Sequence, residues 1–219
     1  MWKALIKKEI LLLGRAKNAV LSVLSLGLSM LFLFYFGLEG TENLSLSHIL
    51  GLKWGILFLI SYILVGQSVW EERESEAFRI NHAHLPRFSL FLVKSFFIFF
   101  VLVLVLGFLQ ILLVVFFEKY KLEKNFFLHG SIYLSLGLLS LSFLGVNLSY
   151  LSQSTRLKEM LLPVLLTPLT IPIFLFGLDA EKNAFFTNSF QEKSFLILCL
   201  FNILYGSLGA LIMELELDE

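Results

Sequence analysis

Residues able to carry acid–base, metal or nucleophilic chemistry are few in this chain and lie far apart. The histidines are His48, His82, His84 and His129, and the single cysteine is Cys199. One cysteine excludes an intramolecular disulfide framework and any multi-cysteine zinc or iron–sulfur site. Axial ligation of a haem by imidazole is chemically open to His48 and His129, yet a lone histidine in a connector is more often an ordinary loop residue. There is no Cys-x-x-Cys-His string, and the three tryptophans are dispersed at positions 2, 54 and 70, so a self-contained haem site is not supported. No Gly-Lys pair occurs anywhere, which removes the phosphate-cradling loop and with it ATP hydrolysis by this chain alone. No catalytic, cofactor-binding or metal site is therefore expected, and the chain is read as a non-enzyme.

The elements that must position these residues are set by composition. Of 219 residues, 58% are hydrophobic, 24 are Phe and only 16% are charged, with a mean hydropathy of +0.85. A water-soluble globule could not cover that much apolar surface with so little polar material, so the solvent for most of the chain is lipid. Seventeen basic residues balance seventeen acidic ones, which argues against nucleic acid as a partner. A helix crossing the hydrocarbon core needs roughly 20 apolar residues. Six windows of that kind appear, at approximately 19–38, 50–69, 95–117, 130–151, 160–178 and 194–213, with Lys53 alone intruding near the start of the second. Backbone polar groups in lipid must be satisfied within the segment, so an all-α membrane protein with six transmembrane helices follows, as a single domain over residues 1–219. Runs such as Phe96 to Val105 do not alternate, which excludes a transmembrane barrel.

Gln67, Gln110, Asn147, Gln153 and Asn202 are the strongest polar intrusions in the windows. Gln110, Asn147 and Asn202 suit interhelical hydrogen bonds worth about 1 kcal/mol each, the alternative being a polar route between spans. With no acidic or basic residue placed centrally in a window, a proton relay is not expected. Cys199 reads as a small packing residue.

Six spans put both termini on one side, so the basic residues of the connectors divide into two sets. Eleven fall with the termini, from Lys3 through Arg15, Arg73 and Arg79 to Lys158, and six fall on the other side. Both termini are therefore predicted cytoplasmic. Residues 1–18 read as an interfacial helix, with Trp2, Leu5, Ile6, Ile10 and Leu13 on one face and Lys3, Lys7, Lys8 and Arg15 mostly on the other. Glu9 falls in the apolar stripe and calls for a cationic or backbone donor partner. The second connector opens with Trp70-Glu71-Glu72-Arg73-Glu74-Ser75-Glu76-Ala77-Phe78-Arg79, good helix formers without Gly or Pro before Pro86. A short cytoplasmic helix along the membrane fits this stretch, and it could serve either as a solvated linker or as a docking surface.

From Leu136 onward the string LGLLSLSFLGVNLSYLSQSTRLKEMLLPVLLTPLTIPIFLFG places glycines at 137 and 145, a short basic turn, and prolines at 163, 168 and 172. Three prolines in one span remove internal hydrogen bonds, so Pro163, Pro168 and Pro172 are expected to kink or break it. This pattern resembles the haem exporter B family, CcmB. Lys8-Glu9 with Arg15, and Pro86 with Lys94, are similar to further elements of that family, so the likeness spans nearly the whole chain. It implies an ABC-2-like permease subunit of the bacterial inner membrane, serving c-type cytochrome biogenesis. It implies a separate ATP-hydrolysing subunit, CcmA, small membrane partners CcmC and CcmD, and a periplasmic haem chaperone, CcmE. Haem would be handled by the complex and ATP bound by the partner, with no cofactor held directly by this chain.

On the resemblance, ATPase docking falls to Glu71, Glu72, Arg73, Glu76, Phe78 and Arg79, with Glu72 at the family's acidic position and Phe78 near its apolar one. The connector departs from the family pattern, which usually has a Gly and a Leu pair after the acidic residue. Lacking a haem ligand or an intramembrane polar cluster, the chain reads better as a mechanical transducer for release of the loaded chaperone than as a haem channel. The alternatives are an ABC-2-type permease for a lipid, drug or polysaccharide, and a membrane scaffold with no coupled ATPase.

Overall fold

The computed structural model describes residues 17–37, 45–74, 87–117, 120, 124–153, 158–187 and 190–215. They form six α-helices and, among the described residues, no strand. These are α1 (Lys17–Gly37), α2 (Leu46–Glu74), α3 (Arg87–Phe116), α4 (Lys124–Gln153), α5 (Lys158–Thr187) and α6 (Glu192–Leu215). Five of them, α2 to α6, are long and apolar enough to cross a membrane, while the apolar part of α1 spans Leu21–Gly37. The expected all-α membrane architecture is what the chain adopts.

The bundle is built around α4, which packs against α2, α3, α5 and α6, whereas α1 rests on α2 and α3. Every residue from Leu141 to Tyr150 is buried, the mark of a helix surrounded on all sides. Close approach to α4 is possible because several of its contact positions are small. A Cβ on Gly145 would lie 2.6 Å from a methyl of Val65 in α2, and one on Gly137 would lie 2.5 Å from the Trp54 ring. At the opposite extreme α6 turns Leu196, Leu200 and Ile203 outward, as a helix facing lipid must.

The helix ends follow local chemistry. Ser45 stands at the N-cap of α2, its carbonyl accepting from the His48 and Ile49 amides at 3.0 and 3.4 Å. At α6 the Gln191 carbonyl accepts from Phe195 at 3.1 Å, and Glu192 places negative charge in the first turn, where the helix dipole favours it.

Several helices outrun the apolar windows, because a helix does not stop where lipid does. The third begins at Arg87 rather than Ser95, which puts Lys94 inside α3 and buried. The Trp70–Glu74 stretch, expected to open a separate surface helix, is the final turn of α2 and continuous with the span; residues 75–86 lie outside the described residues. The fifth element is α-helical from Lys158 to Thr187 despite its prolines, so they do not break it. Side chains supply hydrogen bonds along that stretch: the Thr170 hydroxyl donates to the Thr167 carbonyl at 2.9 Å and the Tyr205 hydroxyl donates to the Leu169 carbonyl at 3.0 Å.

Candidate functional site

The densest polar chemistry in the bundle is built from one intrusion legible in the sequence and one that the span boundaries concealed. Lys53 lies on the second turn of α2, fully buried. A lone ammonium in that setting must find an anion. It finds Glu181, also fully buried, on the stretch of α5 that extends past the expected end of the fifth span at Leu178. The two form a salt bridge in which the Lys53 Nζ donates to Glu181 Oε1. The second carboxylate oxygen accepts from the Trp54 indole Nε1 at 2.7 Å, so one carboxylate binds two consecutive side chains of α2.

Tyr120, in the connector after α3, covers the pair. Lys53 donates to its hydroxyl at 3.2 Å and lies over its ring, 5.4 Å from the centroid. Gln110 of α3 hydrogen-bonds the same hydroxyl. Burial raises the Tyr120 phenol above its ordinary value despite the opposing pull of Lys53, which keeps it protonated and able both to donate and to accept. Phe185 of α5 stacks on the ring at 6.4 Å between centroids. Four segments, α2, α3, α5 and the connector, thus converge on one charge pair.

Glycines shape the apolar floor of this site. A Cβ on Gly177 of α5 would meet the Trp54 ring at 2.6 Å, as one on Gly137 of α4 would at 2.5 Å. The indole therefore lies in a slot between two bare backbones, with Phe174 edge-on to it at 5.5 Å. Two further polar ties cross the bundle elsewhere. The Asn147 amide donates to the Tyr205 carbonyl at 2.7 Å, and the Asn202 amide donates to the Leu136 carbonyl at 3.1 Å. Both asparagines make the interhelical hydrogen bonds expected of them.

Of the residues anticipated from sequence, Glu71, Glu72 and Arg73 fall in the final turn of α2. Glu76, Phe78 and Arg79, together with Trp2, Lys7, Lys8, Glu9 and Arg15, lie outside the described residues. Pro163, Pro168 and Pro172 share α5. His48 hydrogen-bonds Ser45 Oγ at 2.6 Å on the rim of an apolar groove of about 470 Å³ beside Met30, Phe34 and Gly55, while His129 packs on Phe190. The two histidines serve separate neighbourhoods. Among the described residues no group of three or more His, Cys, Asp or Glu side chains could hold a metal.

Sequence reasoning missed Glu181, Tyr120 and the role of Trp54. A usable signal was present: Ile173, Gly177, Ala180, Glu181 and Ala184 are all buried at helical spacing, so the face of α5 continues through Glu181 although the hydropathy falls.

A helical bundle of this length and apolarity, with its strongest chemistry spent on tying helices together, is a membrane-embedded domain. Comparison with curated proteins finds no match. The CcmB protein family model matches residues 1–214, and the chain belongs to that family. It is accordingly the membrane component of a haem exporter ABC transporter, a transmembrane permease subunit of the kind that is generally non-catalytic.

Proposed function

We propose that this chain is the inner-membrane subunit through which ATP hydrolysis on a separate CcmA subunit drives release of haem-loaded CcmE during c-type cytochrome biogenesis. CcmC and CcmD are its membrane partners, both termini are cytoplasmic, and the chain binds no cofactor itself. Family membership over residues 1–214 supports the setting.

The observation that carries the coupling is the continuity of α2. Its 29 residues run without a break, so Lys53 and the Glu71, Glu72 and Arg73 turn stand on one rod, about 30 Å apart at the rise of an α-helix. A displacement applied at the Glu74 end is therefore delivered to Lys53 and Trp54 with little loss, because a helix without proline or an inserted side chain resists sharp bending.

Charge reversal at Glu72 and Glu76 tests this. Covalent-haem staining of membranes and ATPase of the assembled complex should both fall, with normal amounts of the chain in the membrane. Unchanged staining and ATPase would rule out docking through that segment. In a strain lacking the chain, loss of c-type cytochromes with CcmE still carrying haem supports release, whereas CcmE without haem places the defect before loading.

A further inference from the structure

Buried pairs are costly to desolvate, and a well-packed apolar contact usually stabilises as much or more. The pairing of Lys53 with Glu181 therefore calls for a reason other than stability. Its location supplies one. The ring contacts, hydrogen bond and ion pair described between α2 and α5 involve Lys53, Trp54 and Phe58 on one side and Phe174, Gly177 and Glu181 on the other. All of them gather toward the connector end of the two helices. Nearer its other end α5 turns Val164, Leu165 and Leu169 outward. Among the described residues, the contacts just named between α2 and α5 lie toward this end, while Leu166 and Thr170 of α5 are buried nearer the other.

Two physical features make this fastening reversible. The Trp54 ring meets glycine backbone on α4 and α5, so it can slide out without shearing through interdigitated side chains, as small helix displacements require. The charge pair has two well-separated states. Closed, it is dry and mutually satisfied; parted next to a connector, each charge is hydrated at the membrane boundary. Packed interfaces switch between discrete arrangements, and a pair that is dry when closed and hydrated when parted marks the two states.

We propose that Lys53, Trp54 and Glu181 form a clasp that holds the α2–α5 seam shut at the connector end and must part in each cycle of the complex. The proposal rests on the coupling reading given above. The test uses the assembled complex carrying Lys53→Cys and Glu181→Cys in a Cys199→Ser background, joined by a short bis-methanethiosulfonate linker. ATPase of the linked complex should be lost and should return on reduction of the linker.

Absence of ATPase in the assembled complex with Lys53 and Glu181 intact would overturn the coupling reading and the clasp with it. ATPase that is present and indifferent to the linker would overturn the clasp alone. A second variant, Lys53→Met with Glu181→Cys and Cys199→Ser, leaves no buried charge unpaired. Its cysteine should resist a membrane-impermeant maleimide in the nucleotide-free complex and react during turnover. Equal protection in both conditions would refute opening.

Discussion

Removing the pair entirely should damage the protein less than removing half of it. Lys53→Met deletes the cation and leaves Glu181 holding the Trp54 indole, whereas Glu181→Leu deletes the partner of Lys53 and the acceptor of Trp54 together. Stranding one charge of a buried pair costs about 3–5 kcal/mol, and an orphaned buried donor adds about 1–3 kcal/mol. Glu181→Leu is therefore the worse of the two single variants. In the double variant Lys53→Met/Glu181→Leu both charges are gone, and only the indole N–H lacks its acceptor. It should exceed Glu181→Leu in stability by about 3 kcal/mol or more. At roughly 2–4 °C per kcal/mol for chains of this size, the gap is about 6–12 °C in midpoint. Thermal unfolding of the purified chain in mild detergent, with abundance in the membrane as a second readout, measures it. A double variant no more stable than Glu181→Leu would show that the two side chains act independently and that the salt bridge is not the organising contact.

Gly177→Ala places a methyl 2.6 Å from the Trp54 ring and should cost about 1–3 kcal/mol by overpacking, read as a lowered midpoint. Gly55→Ala meets nothing within 4 Å; it should leave the midpoint unchanged or raise it by the helix preference of Ala over Gly, up to about 1 kcal/mol. Asn147→Leu gives up the bond to the Tyr205 carbonyl, but it also removes a buried carbonyl oxygen that has no partner. Its net cost should sit near the low end of the range for membrane hydrogen bonds, about 0.6 kcal/mol, and a fall several times larger would mean that the amide does more than join α4 to α6.

The helical class, the membrane setting and five of the span positions follow from hydropathy because lipid imposes a length and a polarity on whatever crosses it. The expectations that failed concern features composition does not encode. A window sum ends at Leu178 because Asp179, Glu181 and Lys182 lower it, yet Asp179 is exposed and Glu181 is buried; the distinction lies in angular position around α5, not in mean hydropathy. Pro168 and Pro172 take amide donors from the Val164 and Pro168 carbonyls, yet α5 runs on through both, and the Tyr205 hydroxyl ties the neighbouring Leu169 carbonyl to another helix. The Gly137 and Gly145 spacing was visible as a pattern; its meaning required Trp54 and Val65 from α2, more than seventy residues away in sequence for each pair. Lys53 was legible as an anomaly, and its partner was not, since pairing is a property of the packed bundle.

The prolines of α5 bear on the same coupling. Each removes an amide from the internal ladder, so the stretch from Pro163 to Pro172 bends more cheaply than the Gly177–Thr187 end that carries Glu181. A helix with one compliant and one firmly held end can flex while the clasp is closed, which would let strain build before the pair parts. Pro168 is exposed, so Pro168→Ala adds no clash and restores a backbone hydrogen bond to the Val164 carbonyl. Helix propensity favours the alanine by up to about 3 kcal/mol, and the midpoint should rise. If bending of α5 is part of the cycle, ATPase of the complex should fall as the midpoint rises. A stabilised variant with undiminished ATPase would show that the prolines serve the shape of α5 and not its motion.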